Sequence, residues 1–270
     1  MFDLDEKILR AYFKMEEAQR QRLWMQRIWH PETFNWKDKS GPLPITRSTA
    51  IKYEEFEKMG FGPEYCERMK TLEENARQEL MDFAAEHALW PHFSRINGLS
   101  RYTCGAFIAA GGDISRAPTV SAFWKGMGLD ILNNGIYARN GKMIQPPGSA
   151  PRRIRGNTDV ERKIPALPHV TKIGEQIRQQ IVRFSSRSKI GGHYVRFRAM
   201  VDAKNPERAK VFNFKDAERR TQKLLYACLW KQWRIAYRLP APDAYAFDIL
   251  KHPGDHIIEM SDLYDVDAAA

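Results

Sequence analysis

The chain has 270 residues, of which 43% are hydrophobic and 11% aromatic, and its 43 Lys and Arg against 33 Asp and Glu leave a net charge of +10. That is enough apolar material for one large or two small packed domains and excludes generic disorder. No apolar run approaches the ~18 residues of a membrane span, and the acidic start Met1-Phe2-Asp3-Leu4-Asp5-Glu6 lacks the basic and apolar regions of a signal peptide. Cys66, Cys104 and Cys228 are too far apart for a disulfide framework or a thiolate metal site, and each is expected to be a small buried thiol. These features predict a soluble, cytoplasmic protein whose excess positive charge faces a polyanion, nucleic acid before membrane.

In chain order, Leu4, Ile8, Ala11, Tyr12, Met15, Leu23 and Ile28 recur at helical spacing, which predicts an amphipathic helix from Asp3 to about Trp29. A polar loop containing Gly41-Pro42-Leu43-Pro44 follows, then a short helix near Thr49 to Met59. Pro63 suits the first turn of a longer helix whose expected buried face is Tyr65, Met69, Leu72, Ala76, Leu80 and Phe83. Residues 89–129 read as helix, tight turn, helix, connector and a helix capped near Thr119. Dense glycine and proline over 130–168 predict an extended or hairpin-bearing loop. Helices are then expected over Pro168 to Ser188, Gly192 to Lys204, Asn213 (as cap) to Tyr237, and Asp243 to Leu250, before an acidic tail that frays. The predicted organisation is therefore mainly α. It comprises a helical region over 1–88, a helix-hairpin-helix module over 89–129, a basic loop over 130–168, a helical region over 169–254 and the tail over 255–270.

The charge is concentrated. From Tyr137 to Arg198 there are 14 basic residues and only three acids, Asp159, Glu161 and Glu175, a net +11, so the rest of the chain is close to neutral. A solvated face ordinarily mixes the two signs. The bias of this stretch, which includes Arg139, Lys142, Arg152, Arg153, Arg155, Lys172 and Arg178, predicts an electrostatic footprint for a phosphate backbone.

The sharpest local signal is Ile96-Asn97-Gly98-Leu99-Ser100 between two short apolar helices. Gly98 permits a positive-φ turn. Ser100 can cap the next helix, whose N–H groups and dipole then face an anion. Leu99 is the apolar plug between the helices, and Arg95 and Arg101 flank the turn. Such a device grips backbone and does not read bases. The candidate binding residues are thus Arg95, Asn97, Gly98, Leu99, Ser100 and Arg101 with the seven basic residues named above.

Ile96 to Thr103, Gly111-Gly112-Asp113-Ile114, Pro118 to Trp124 and Gly128-Leu129 together resemble the C-terminal domain of the RuvC-like DEDD transposases, the enzymes of insertion sequences guided by a bridge RNA. The likeness continues through Lys172-Ile173-Gly174, Arg178, and the helix from Ala217 to Trp230, and covers roughly residues 89–250. It is nearest to short orphan relatives of viruses and mobile elements that lack the RuvC-like domain. The resemblance implies a DNA-gripping domain, binding duplex or branched DNA with little sequence preference. It also implies a nucleophilic serine after the Gly128-Leu129 motif, where Ser149 is the one serine before Lys172, although its neighbours Gly148 and Ala150 do not match the family. The family's four-acid, two-metal site needs carboxylates converging from strand ends. Here the acids of residues 1–88 (Glu16, Glu17, Glu54, Glu55, Glu73, Glu74) fall on helices and read as solvated faces, so no such site can be placed.

Other constellations read as structural. His252-Pro253-Gly254-Asp255-His256 is a turn, not a metal site, and the Trp230–Trp233 and Trp24–Trp36 aromatics are core. Gly111-Gly112 and Gly191-Gly192 are expected as left-handed caps at helix ends, and neither heads a Rossmann or P-loop pattern. No metal or cofactor is implied. The expected function is a nucleic-acid-binding protein, with DNA as the first partner and RNA the alternative, and with homo-oligomerisation left open. Two alternatives stand: a serine-dependent transposase or recombinase subunit, and a structural or assembly protein of a virus or mobile element.

Overall fold

The three- and four-residue spacing of Ile8, Ala11, Tyr12, Met15 and Ala18 puts one apolar stripe along α1 (Phe2–Trp29), and every one of these side chains is buried. In the computed structural model, which describes residues 2–29, 63–129, 136–137, 143–145, 168–242 and 258–265, that stripe packs along α2 (Pro63–Glu86). The buried face of α2 is Glu73, Ala76, Leu80 and Ala84, while Leu72 is 41% exposed. Ala76 and Leu80 are buried as expected and Phe83 packs half-buried against the core, whereas Glu73 takes the buried place expected for Leu72. The reason is an ion-pair lattice between the two helices. Glu73, only 5% exposed, accepts from Gln19 Nε2 (3.1 Å), Arg22 Nε (2.8 Å) and Arg77 (3.0 Å). Glu73 is thus no solvated acid, and the half-buried Glu16 likewise accepts from Lys172.

After α2 the chain turns through His87, which ties the start of α1 to Tyr237. The Leu89 N–H donates to His87 Nδ1 (3.1 Å), so Nε2 carries the proton and donates to Asp5 Oδ1 (2.9 Å). The Tyr237 hydroxyl also donates to Asp5 and lies 3.0 Å from His87 Nε2. Then come the single turn α3 (Trp90–Phe93) and α4 (Arg101–Gly111), capped by Ser100, whose hydroxyl accepts from the Thr103 N–H. A 3₁₀ turn (Ile114–Arg116) leads to α5 (Val120–Gly126), capped by Thr119 as expected. The buried Arg234 guanidinium fixes that connector by donating to the carbonyls of Ile114 and Ala117.

Within the 130–168 loop, β1 (Ile136–Tyr137) and β2 (Met143–Gln145) pair as an antiparallel hairpin. The remaining helices are α6 (Pro168–Arg183), α7 (Lys189–Lys204) and α8 (Lys210–Ala236). Three boundaries differ from expectation. α6 stops at Arg183 and α7 begins at Lys189, because Ser188 caps α7 by accepting from the Gly191 N–H (3.0 Å). Gly191 and Gly192 therefore lie in the first turn of α7 and are not left-handed caps, whereas Gly112 ends α4 with φ +61°. Asn213 is not the cap of α8. It is buried one turn inside, where its Nδ2 donates to Asp202 Oδ1 (2.9 Å) and the Asn205 carbonyl (3.1 Å), locking the α7–α8 bend.

One hydrophobic cluster runs from Ile8 of α1 through Phe107, Phe123, Ile177, Tyr226 and Trp233 to Leu263. Residues assigned from sequence to the 1–88, 89–129, 169–254 and 255–270 segments thus share a core. Trp230 and Trp233 are core, as expected. Cys104 and Cys228 are buried, and burial pushes the Cys228 thiol up to about 12, whereas Cys66 is half-buried instead of fully enclosed. The helices expected near 49–59 and 243–250, the side chains of the N-terminal aromatic cluster from Trp24 to Trp36 and the His252–His256 turn lie outside the described residues. Among those residues, no helix is long and apolar enough to cross a membrane.

Candidate nucleic-acid interface

The turn between α3 and α4 takes the shape its sequence predicts. Gly98 has φ +91°, and Leu99 packs half-buried against the core. Ser100 caps α4, and Ser100 and Arg101 at its start are exposed. Arg101 stands exposed on the first helical residue with its guanidinium over the Trp90 ring (5.5 Å).

What sequence reading missed is a second turn lying against the first. The chain reverses through Phe184 to Ser188 between α6 and α7, and this turn is also followed by a serine-capped helix. The two turns interlock. The Gly98 backbone presses on the Phe184 ring, so close that a Cβ there would sit 2.5 Å from Cδ2. The Asn97 side chain donates through Nδ2 to the Arg187 carbonyl (2.8 Å). Gly191, in the first turn of α7, approaches the Ser185 backbone to a distance that a Cβ would cut to 2.4 Å. The two turns are thereby held together, and basic residues lie in or beside both: Arg95 and Arg101 at the first, Arg183, Arg187 and Lys189 at the second. Among the described residues, Arg101, Arg183, Arg187 and Lys189 have exposed side chains with no ion-pair partner. The local signal for the second turn was present as Ser188 followed three residues later by Gly191, inside the basic stretch already singled out.

A carboxylate sits across the two turns. Asp265 Oδ2 accepts from the Asn97 N–H (2.7 Å), and its Oδ1 accepts from the Lys189 N–H (2.5 Å). The Asp265 N–H donates to the Arg95 carbonyl (2.8 Å). Tyr264, one residue earlier, takes the Arg95 guanidinium on its ring face at 3.7 Å and meets His92 Nδ1 through its hydroxyl at 2.5 Å. Burial, with repulsion from Arg95 second, lowers the His92 pKa, so the ring is neutral at physiological pH. Before these residues comes a 3₁₀ turn (Met260–Leu263) whose Met260 and Leu263 are buried. The tail over 258–265 is consequently docked and does not fray. Two apolar anchors and a stacked tyrosine outweigh the acidic composition from which fraying was expected.

Other predicted residues are elsewhere. Lys172 donates to Glu16 (2.7 Å) and Gln19 (3.0 Å) of α1, and Arg178 engages Glu175, Glu218 and the Gly174 carbonyl. Both are committed to interhelical or intrahelical pairs, not to the turns. Arg139, Lys142, Arg152, Arg153, Arg155 and Ser149 lie outside the described residues. Among the described residues no three His, Cys, Asp or Glu are grouped to hold a metal ion. Comparisons of the chain with protein-family models, with curated proteins and with solved structures find no match.

Proposed function

We propose that this protein binds nucleic acid through its phosphate backbone, gripping it with the paired turns at Gly98 and Arg187. The observation that carries the proposal is the contact between two turns that are each followed by a serine-capped helix, that have the exposed Arg101, Arg183, Arg187 and Lys189 in or beside them, and that each give one N–H to the same carboxylate. Helix starts offer oriented N–H donors and partial positive charge to an oxyanion. Arginine adds bidentate contacts to phosphate oxygens. In sequence the second turn falls within the basic stretch from Tyr137 to Arg198, net +11. The resemblance of residues 89–250 to the DNA-gripping half of RuvC-like DEDD transposases points the same way, with DNA as the first partner.

Groups that hold backbone oxygens carry no sequence code, so duplexes of different sequence bind alike. The test is fluorescence anisotropy with labelled duplex DNA, branched DNA and structured RNA over a salt series. With about six phosphates neutralised, log K falls with log salt at a slope near −5. Absence of binding to all three at low salt refutes the proposal.

A further inference from the structure

The docked tail does more than close the core. Asp265 presents its two carboxylate oxygens to the N–H groups of Asn97 and Lys189, one from each turn. A backbone phosphate has the same requirement, two oxygens on two convergent N–H donors, and the same sign of charge. Tyr264 meanwhile covers the guanidinium of Arg95, one of the basic groups flanking the first turn. A phosphate gripped at this place and a seated Asp265 exclude each other, because one pair of donors cannot serve both anions and the two repel across the seat.

We propose that the C-terminal strap is an intramolecular competitor of nucleic acid: Asp265 holds the seat of a backbone phosphate, and the strap must release Asp265 and Tyr264 before the paired turns close on their ligand. The proposal rests on the nucleic-acid role given above. The strap is built for partial release. Its buried anchors, Met260 and Leu263, lie upstream, and the inhibitory groups are the next two residues, Tyr264 and Asp265, both half-buried. Freeing Tyr264 and Asp265 leaves the buried anchors Met260 and Leu263 in place. Lys231, paired with Glu259 (2.9 Å), and Cys228, whose thiol donates to the Ile258 carbonyl (3.5 Å), still hold the base of the strap to α8. The released seat offers two N–H donors.

The experiment compares the full-length wild type with Asp265→Asn, which keeps the shape of the side chain and removes its charge. Affinity for a labelled duplex is measured at one low salt concentration, and amide hydrogen exchange over 258–265 is followed in the wild type with and without the same duplex. If the seat is filled by the strap about nine-tenths of the time, Asp265→Asn binds about tenfold tighter. Exchange of the Asp265 amide, which is bonded to the Arg95 carbonyl, then rises when duplex is added. A wild type that binds, with Asp265→Asn binding no tighter and the Asp265 amide no less protected in the complex, overturns the competitor while leaving the nucleic-acid role in place. Failure of both proteins to bind overturns the nucleic-acid role and the competitor with it. Because the exchange readout uses the wild type alone, an unfolded variant does not protect the proposal.

Discussion

The Gly98 backbone and the Phe184 ring are in direct contact, and that contact joins the turn before α4 to the turn before α7. Adding a Cβ at position 98 places it 2.5 Å from Phe184 Cδ2, and φ at this residue is +91°. Gly98→Ala therefore suffers both overpacking and left-handed backbone strain, and a loss of about 2–4 kcal/mol is expected by chemical denaturation. Truncating the ring in Gly98→Ala/Phe184→Ala removes the clash and keeps the strain. The double variant recovers part of the loss measured against Phe184→Ala alone.

The caps of the two helices give a second expectation. Ser100 accepts from the Thr103 N–H (3.2 Å) and Ser188 from the Gly191 N–H (3.0 Å). Ser100→Ala and Ser188→Ala should each cost about 1 kcal/mol. Gly191→Ala should cost more, since its Cβ meets the Ser185 backbone, which cannot swing aside as a side chain does. Equilibrium urea unfolding of the three variants gives the order directly.

Much of the architecture is legible in the sequence, and the failures have identifiable physical origins. The Ile8–Ala11–Tyr12–Met15 stripe, the Gly98 turn and the Ser100 and Thr119 caps are local features, readable from spacing and side-chain chemistry. Glu73 is not, because its burial depends on Gln19 and Arg22 arriving from a helix more than fifty residues away. Ser188 is ambiguous locally, since a serine can end one helix or start the next, and only the placement of Gly191 against Ser185 decides it. Lys172 and Arg178 look like phosphate ligands while their carboxylate partners on other helices are unknown. The contact between Asp265 and Asn97 spans 168 residues, and in sequence Asp265 is one acid among several in a tail.

Removing the Glu73 carboxylate tests the α1–α2 lattice. Glu73→Ala withdraws a buried acceptor from Gln19, Arg22 and Arg77 together and should destabilise the protein by about 3 kcal/mol. An effect below about 0.5 kcal/mol, the usual worth of an exposed pair, contradicts that placement.

Stability should fall on acidification through three histidines. Burial is the main cause that lowers the pKa of His92, His169 and His193, with Arg95 and Arg196 adding repulsion at His92 and His193 and with Glu16 and Asp262 opposing the shift at His169 and His193. The unfolded chain takes up protons near the ordinary 6.5 while the folded rings remain neutral. Below that pH the unfolded state binds more protons, so stability decreases as pH falls, until the folded pKa of each ring is reached. Melting temperature should therefore decline from pH 7.5 toward 5.5. His92→Gln should flatten part of that decline, and an unchanged profile in this variant removes His92 from the cause.

The most direct measurement is the salt dependence of duplex binding by wild type and by Arg101→Ala/Arg187→Ala, one exposed arginine from each turn and neither with an ion-pair partner among the described residues. If the paired turns grip the backbone, the double variant binds more weakly at low salt, and its slope of log K against log salt is shallower by about two, one for each lost phosphate contact. Equal affinities and parallel slopes would contradict the interface and place any nucleic-acid contact elsewhere on the chain.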